Sequence, residues 1–162
     1  MQIAIISDTH MPRGRRELPA ECVARLRVAD LIVHAGDLVE LSVLHELERY
    51  APVVAVYGNV DHAEVRDALP ETLEVDAGGA TFAVIHDAGP KKGRLERLRA
   101  RFPQADAVVF GHSHIPLHQT AHDGFQIFNP GSPTERRRSP HRTMGLALVN
   151  SPRPAFELVV LG

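Results

Sequence analysis

The chain has 162 residues, a formal net charge of -2, 44% apolar residues and 23% charged ones. That length suits one domain, residues 1–162, burying roughly 70% of its unfolded surface without needing a disulfide or a structural metal. The near-neutral balance excludes bulk attraction to nucleic acid or to an anionic membrane. The single Cys22 excludes an internal disulfide and reads as a buried thiol in a reducing compartment. No apolar run approaches the ~18 residues of a membrane span, and MQIAIISD turns acidic too soon for a signal peptide, so the expected location is cytoplasmic.

QIAIIS, at the start, reads as a buried strand, followed by the loop DTHMPRGRR and a helix from about Leu18 to Val28. DLIVHAGD is a second apolar run, LSVLHELERY carries apolar residues at helical spacing, and PVVAVYGN is a third run. Strand, helix, strand, helix, strand predicts a parallel sheet whose loops at the carboxyl ends of the strands collect functional groups. A short segment at Ala63 to Leu69 precedes ETLEVDAGGATFAVIHD, two strands around a Gly-Gly turn. KKGRLERLRARF predicts a basic amphipathic helix, ADAVVFGHSH a further apolar run with a polar end, and PLHQTAHDGFQIFNPGS, MGLALVN and AFELVVL hairpins. There is no repeat or linker, and one α/β domain with two sheets is expected.

Ten histidines are the compositional oddity, so their placement matters. Four apolar runs end in Asp8 and His10, Asp37, Asn59, and His112 and His114, and a fifth ends in His86. All seven side chains are hard or borderline metal ligands and none is a thiolate, which argues against a structural zinc site. If the runs are neighbouring strands, their ends converge, and seven donors exceed what one ion uses; two ions are the natural count. Paired ions need a bridge, and Asp37, following a glycine at a strand end, is the best candidate. Such a pair makes hydroxide available near neutral pH and binds phosphate-ester oxygens, which implies in-line displacement at phosphorus.

SDTH, HAGD, GNVD, the His86 segment, GHSH and NPGS, in that order, resemble the calcineurin-like metallophosphoesterases, in particular their short single-domain phosphodiesterase branch. The resemblance covers nearly the whole chain and implies a four-layer α/β sandwich of two mixed β-sheets flanked by helices. It implies that Asp8, His10, Asp37 and His114 bind one ion, while Asp37, Asn59, His86 and His112 bind the other. Asp37, Asn59 and His112 are then also the catalytic residues, with a metal-bridging hydroxide as nucleophile and His112 helping to stabilise developing charge. Manganese, iron, nickel or zinc are the implied occupants, manganese favoured, since imidazole and carboxylate donors do not choose sharply.

Two positions depart from the family pattern. Val60 stands where larger members carry a histidine proposed to protonate the leaving group, with His62 as a nearby substitute. Asp87 stands where glycine is common, and its carboxylate could accept from His86 or repel a dianionic substrate. A small phosphodiester is therefore the expected substrate. The rivals are a weakly catalytic protein-binding scaffold of the same fold and a nuclease.

The remaining features have plainer readings. Gly58 and Gly111 read as turn glycines, and Asn129 in NPGS as structural. Asp61 is divided between bonding a ligand histidine and closing its own turn, and His34 reads as a core or supporting residue donating to backbone. The segments with Arg13, Arg15 and Arg16 and with Arg136, Arg137, Arg138 and Arg142 read as solvated loops, the sharper alternative being that the first holds phosphate. No aromatic residues interleave with these arginines, so nucleic acid is not an expected partner. The C-terminal hairpins leave edge strands open to pairing between copies.

Overall fold

The computed structural model describes residues 1–150 and 153–162. Strands β1 (Gln2–Ile6), β2 (Leu31–His34) and β3 (Val53–Ala55) alternate with helices α1 (Ala20–Leu26) and α2 (Leu41–Glu48). Helix α3 (Ala63–Ala68) leads into the hairpin β4 (Thr72–Ala77) and β5 (Ala80–Ile85), then α4 (Arg94–Arg101) and β6 (Ala107–Phe110). Strands β7 (Leu117–Thr120), β8 (Gln126–Asn129), β9 (Arg142–Leu148) and β10 (Ala155–Leu161) follow. One sheet has the order β10-β9-β1-β2-β3 and the other β4-β5-β6-β8-β7. Each is mixed: β1, β2 and β3 run parallel, as do β5, β6 and β8, while the outer hairpin strands run antiparallel.

The alternation of side chains along each strand explains the layering. Ile3, Ile5, Val33, Phe82, Val109 and Phe128 point into the space between the sheets. The other face of the first sheet, with Ala4, Ile6 and Ile32, packs on Leu26, Leu47 and Val65 of α1, α2 and α3. Ile85, Val108 and Ile127 cover the outside of the second sheet and meet Leu98 of α4 and Phe102 just beyond it. Strands buried on both faces read as unbroken apolar runs in sequence, as here. No helix among the described residues is long and apolar enough to cross a membrane.

Helix α1 is shorter than its periodicity predicts. Leu18 precedes Pro19, which disfavours helical backbone there, so the helix begins at Ala20, and it ends at Leu26 with Val28 exposed beyond it. Cys22 is buried in its apolar face, and burial pushes the thiol up to about 12, consistent with an inert thiol.

Phe128 is one of two fully buried phenylalanines in the inter-sheet layer, with Phe82, and stacks on Phe156 with ring centroids 4.6 Å apart. Phe128→Ala is expected to cost about 3–5 kcal/mol of stability, read from urea unfolding, because the surrounding strands cannot collapse onto the void.

Candidate metal centre

The parallel strands bring their carboxyl ends to one rim. Beyond β1 and β2 the ladder continues into the loops, with Asp8 N–H donating to Gly36 O and His10 N–H to Asp37 O, both at 3.0 Å. The second sheet joins this rim where His112 N–H donates to Asp8 Oδ2 at 3.0 Å and His86 Nδ1 lies 2.7 Å from Ala35 O. The seven residues singled out in the sequence thereby line one hollow. Asp8, His10, Asp37, His86 and His114 are buried, while Asn59 and His112 form its exposed side.

Two groups of donors stand out. Asp8, His10 and His114 form one and Asp8, Asp37 and His86 the other, with the donor atoms of each within 4.8 Å of one another. Asp37 Oδ2 lies 3.3 Å from both His10 Nε2 and His86 Nε2 and so spans the hollow. On the exposed side, Asn59 Oδ1 is 3.1 Å from His86 Nε2 and 3.0 Å from His112 Nδ1.

Among the described residues, Asp8 Oδ1, His10 Nε2 and His114 Nε2 are buried without a hydrogen-bond partner. His10 Nε2 and His114 Nε2 lie 3.8 Å and 3.3 Å from Asp8 Oδ1, within ion-pair range but not aligned as hydrogen bonds. Three orphaned polar atoms facing one another would be costly if that were the whole arrangement. A shared divalent cation satisfies all three, and the donor set fits one.

The electrostatics agree. Burial opposes ionisation of Asp8, but the imidazoles of His10 and His114 outweigh it and hold the carboxyl well below the usual range. Asp37 is likewise held low against its burial by His10 and His86. Burial would lower His10, yet Asp37 and Asp8 raise it to about 9, and Asp37 raises His86 in the same way. Two buried carboxylates thus demand positive charge, which protons on these imidazoles or divalent cations can supply.

Surrounding hydrogen bonds fix the loops. Asp61 does not touch a ligand histidine; its carboxylate accepts from Asp37 N–H at 3.1 Å, Val39 N–H at 2.5 Å and Gly58 N–H at 2.7 Å, tying the Asp37 and Asn59 loops together. Val60 contributes through backbone, its N–H donating to Asp37 Oδ1 at 3.0 Å. Asn129 Nδ2 donates to Gly111 O at 2.9 Å beneath the GHSH loop. His34 is buried between loops, and burial lowers its pKa to about 3. Its Nδ1 accepts from Gly36 N–H at 3.2 Å, so Nε2 carries the proton and donates to Thr9 Oγ1 at 3.1 Å. The expectation that His34 donates to backbone is therefore reversed.

Gly58 and Gly111 are corrected too: neither has positive φ, and what each requires is space. A methyl at 58 would collide with the Asp37 carboxylate, and one at 111 with Ser7 Oγ and Asp8. The left-handed backbone belongs instead to site residues, with φ of 56° at Asp8, 48° at His10, 61° at Asp37, 69° at His112 and 58° at His114. Such conformations cost of the order of 1–3 kcal/mol each and persist only where neighbours enforce them.

Asp87 Oδ1 accepts from Gly89 N–H at 2.8 Å while His86 Nδ1 faces Ala35 O, so Asp87 closes its own loop instead of serving His86. His62 is exposed at the start of α3. Arg13, Arg15, Arg136 and Arg138 are exposed, but Arg137 donates to His112 O at 3.2 Å and Arg16 lies 3.4 Å from Glu135. Sequence reasoning missed Ser132, Thr134 and Glu135. Ser132 Oγ donates to Asp8 O at 2.8 Å and Thr134 Oγ1 to Thr9 O at 2.7 Å, across more than 120 residues of chain.

Residues 1–151 match the calcineurin-like phosphoesterase superfamily domain. The chain is 34% identical over 151 residues to a probable metallophosphoesterase of Methanothermobacter thermautotrophicus, covering 91% of this chain and 86% of that protein. A phosphodiesterase of Methanocaldococcus jannaschii is 26% identical over 145 residues, covering 81% and 83%. The zinc-bound Vps29 of Entamoeba histolytica superposes with a TM-score of 0.78 over 99% of both chains at 20% identity, a likeness of fold.

Two outcomes are expected. Asp61→Ala strands three amide donors, costing about 1–3 kcal/mol for each one left without water, and should lower both the unfolding midpoint and metal affinity. Adding Mn²⁺ to chelator-stripped protein in weak buffer should release protons, because His10 keeps its proton up to about 9. Apparent affinity should then rise with pH by about tenfold per unit for each proton displaced and flatten once His10 is deprotonated; chelator competition across pH checks this.

Proposed function

The chain belongs to the calcineurin-like phosphoesterase superfamily, and on that premise we propose that it is a binuclear metal-dependent phosphodiesterase acting on a small phosphodiester. The observation that carries this reading is the convergence of orphaned Asp8 Oδ1, His10 Nε2 and His114 Nε2 beside Asp37 Oδ2. In this reading Asp8, His10, His114 and Asp37 hold one cation, and Asp37, Asn59, His86 and His112 hold the other, with Asp37 shared. The two histidines of GHSH then serve different cations, since the His114 ring lies against His10 and the His112 ring against His86. Zinc in the Entamoeba structure supports a divalent occupant; the donor set also accepts manganese, iron or nickel, and manganese is the ion favoured here.

Cations held by these residues would supply Lewis acidity toward phosphoryl oxygens and would lower the pKa of a bound water. The protein's part is positioning. Asp61 and the Val60 N–H fix the Asp37 carboxylate and its loop, while Asn59 and His112 stand on the exposed side, where an ester approaches and where negative charge develops. A cavity of about 350 Å³ opens beside Asn59 and His86, walled by Tyr57, Arg66 and Asp87, with room for an ester substituent. Arg66 is fixed there by Asp61 O at 3.0 Å and Asn59 O at 2.6 Å. With valine at 60 there is no side-chain acid at that position, which favours diesters with good leaving groups; the phosphodiesterase of M. jannaschii is a relative of matching activity.

The test is a rate assay on stripped protein titrated with Mn²⁺, comparing bis-p-nitrophenyl phosphate with p-nitrophenyl phosphate. Turnover should require metal and favour the diester. Asp37→Asn should reduce kcat/KM by at least about a hundredfold, the upper end of the loss from removing even a supporting partner of a ligand. Metal binding without turnover of either ester would sink the activity, and no binding at all would leave the scaffold.

A further inference from the structure

We infer that Glu135 is a positioning residue for the cation site of Asp8, His10 and His114 and makes it the tighter of the two sites; the inference rests on the ligand assignment proposed above. Glu135 is delivered by a strap running back from β8. Ser132 Oγ accepts from Glu135 N–H at 2.9 Å while donating to Asp8 O at 2.8 Å, and Thr134 Oγ1 is bonded to Thr9 O. The strap therefore takes its position from the same loop that carries Asp8 and His10.

From there one residue stands behind both imidazoles. The carbonyl of Glu135 accepts from His114 Nδ1–H at 2.9 Å, which places the His114 lone pair on Nε2, the orphaned atom in the hollow. Its carboxylate Oε2 lies 3.7 Å from His10 Nδ1, within ion-pair range, behind the other orphaned Nε2. Oε1 faces Arg16 at 3.4 Å, which keeps the carboxylate turned along the rim. A carboxylate behind a ligating imidazole fixes its tautomer and raises its basicity.

Among the described residues the other site has no such carboxylate behind its imidazoles. His86 Nδ1 faces the neutral carbonyl of Ala35, and the His112 ring is exposed with Nδ1 toward Asn59. The Glu135 side chain is only 30% exposed, so solvent screens its charge incompletely. The two cations should accordingly load in order, the first beside Asp8 and the second, weaker and exchangeable, beside Asn59.

The measurement is competition between the stripped full-length chain and a chromogenic chelator for Mn²⁺, resolving first and second equivalents. Glu135→Ala should weaken the first equivalent by about 10–100-fold and leave the second unchanged, with the unfolding midpoint of stripped protein also unchanged. Glu135→Gln keeps the shape and the backbone carbonyl and loses only the charge, so it should weaken the first equivalent by a smaller factor. A first equivalent untouched by both variants, or both equivalents weakened alike, overturns the inference. Asp8→Asn separates the two levels of the argument: it should remove the first equivalent, and if both equivalents survive it, the ligand assignment itself has failed.

Discussion

Asp8 and Asp37 are carboxylates placed where water cannot reach them, and a buried charge is tolerated only when an opposite charge faces it. Positive charge therefore has to be assembled around them, which the chain does with imidazoles, and the imidazoles in turn leave Nε2 atoms that only a proton or a metal can satisfy. Much of the remaining architecture follows from this demand. The sheets must present their carboxyl ends together, since Asp8 and Asp37 come from one and His86, His112 and His114 from the other. The glycines at 58 and 111 must lack side chains so that the two rims close to contact distance.

Rigidity at the rim comes from hydrogen bonds that each connect two loops. Asp61 joins the loops after β2 and β3; His34 joins those after β1 and β2; Asn129 and Ser132 join the end of β8 to the loops after β6 and β1. These links run across the strand order, so a disturbance in one loop is resisted by a neighbour belonging to a different part of the chain. Inter-sheet packing around Phe128 supplies the fixed platform beneath them.

Much of this was legible in sequence because it is local. Apolar runs ending in Asp8, Asp37, Asn59, His86 and His112 predict strand ends, and the parallel arrangement of β1, β2 and β3 turns strand ends into neighbours. What escaped is what depends on distance along the chain. Ser132 and Thr134 act on backbone carbonyls more than 120 residues away, and a hydroxyl carries no pattern that announces such a partner. Glu135 had one faint sign, an acid heading a run of arginines. Gly58 and Gly111 show the complementary difficulty: a glycine in sequence does not say whether it is wanted for its backbone freedom or for its missing methyl.

The left-handed backbone at Asp8, His10, Asp37, His112 and His114 has an evolutionary consequence. Glycine would relieve the strain at any of these positions, but glycine has no donor atom, so the proposed ligands cannot be exchanged for a more comfortable residue without losing the chemistry. Each also draws on a folding reserve of only about 5–15 kcal/mol for a whole protein. Substitutions in the helices and sheet cores that stabilise the rim should therefore be tolerated poorly, and relief is open at Arg15, an exposed residue of positive φ outside the proposed ligand set, where glycine could restore margin.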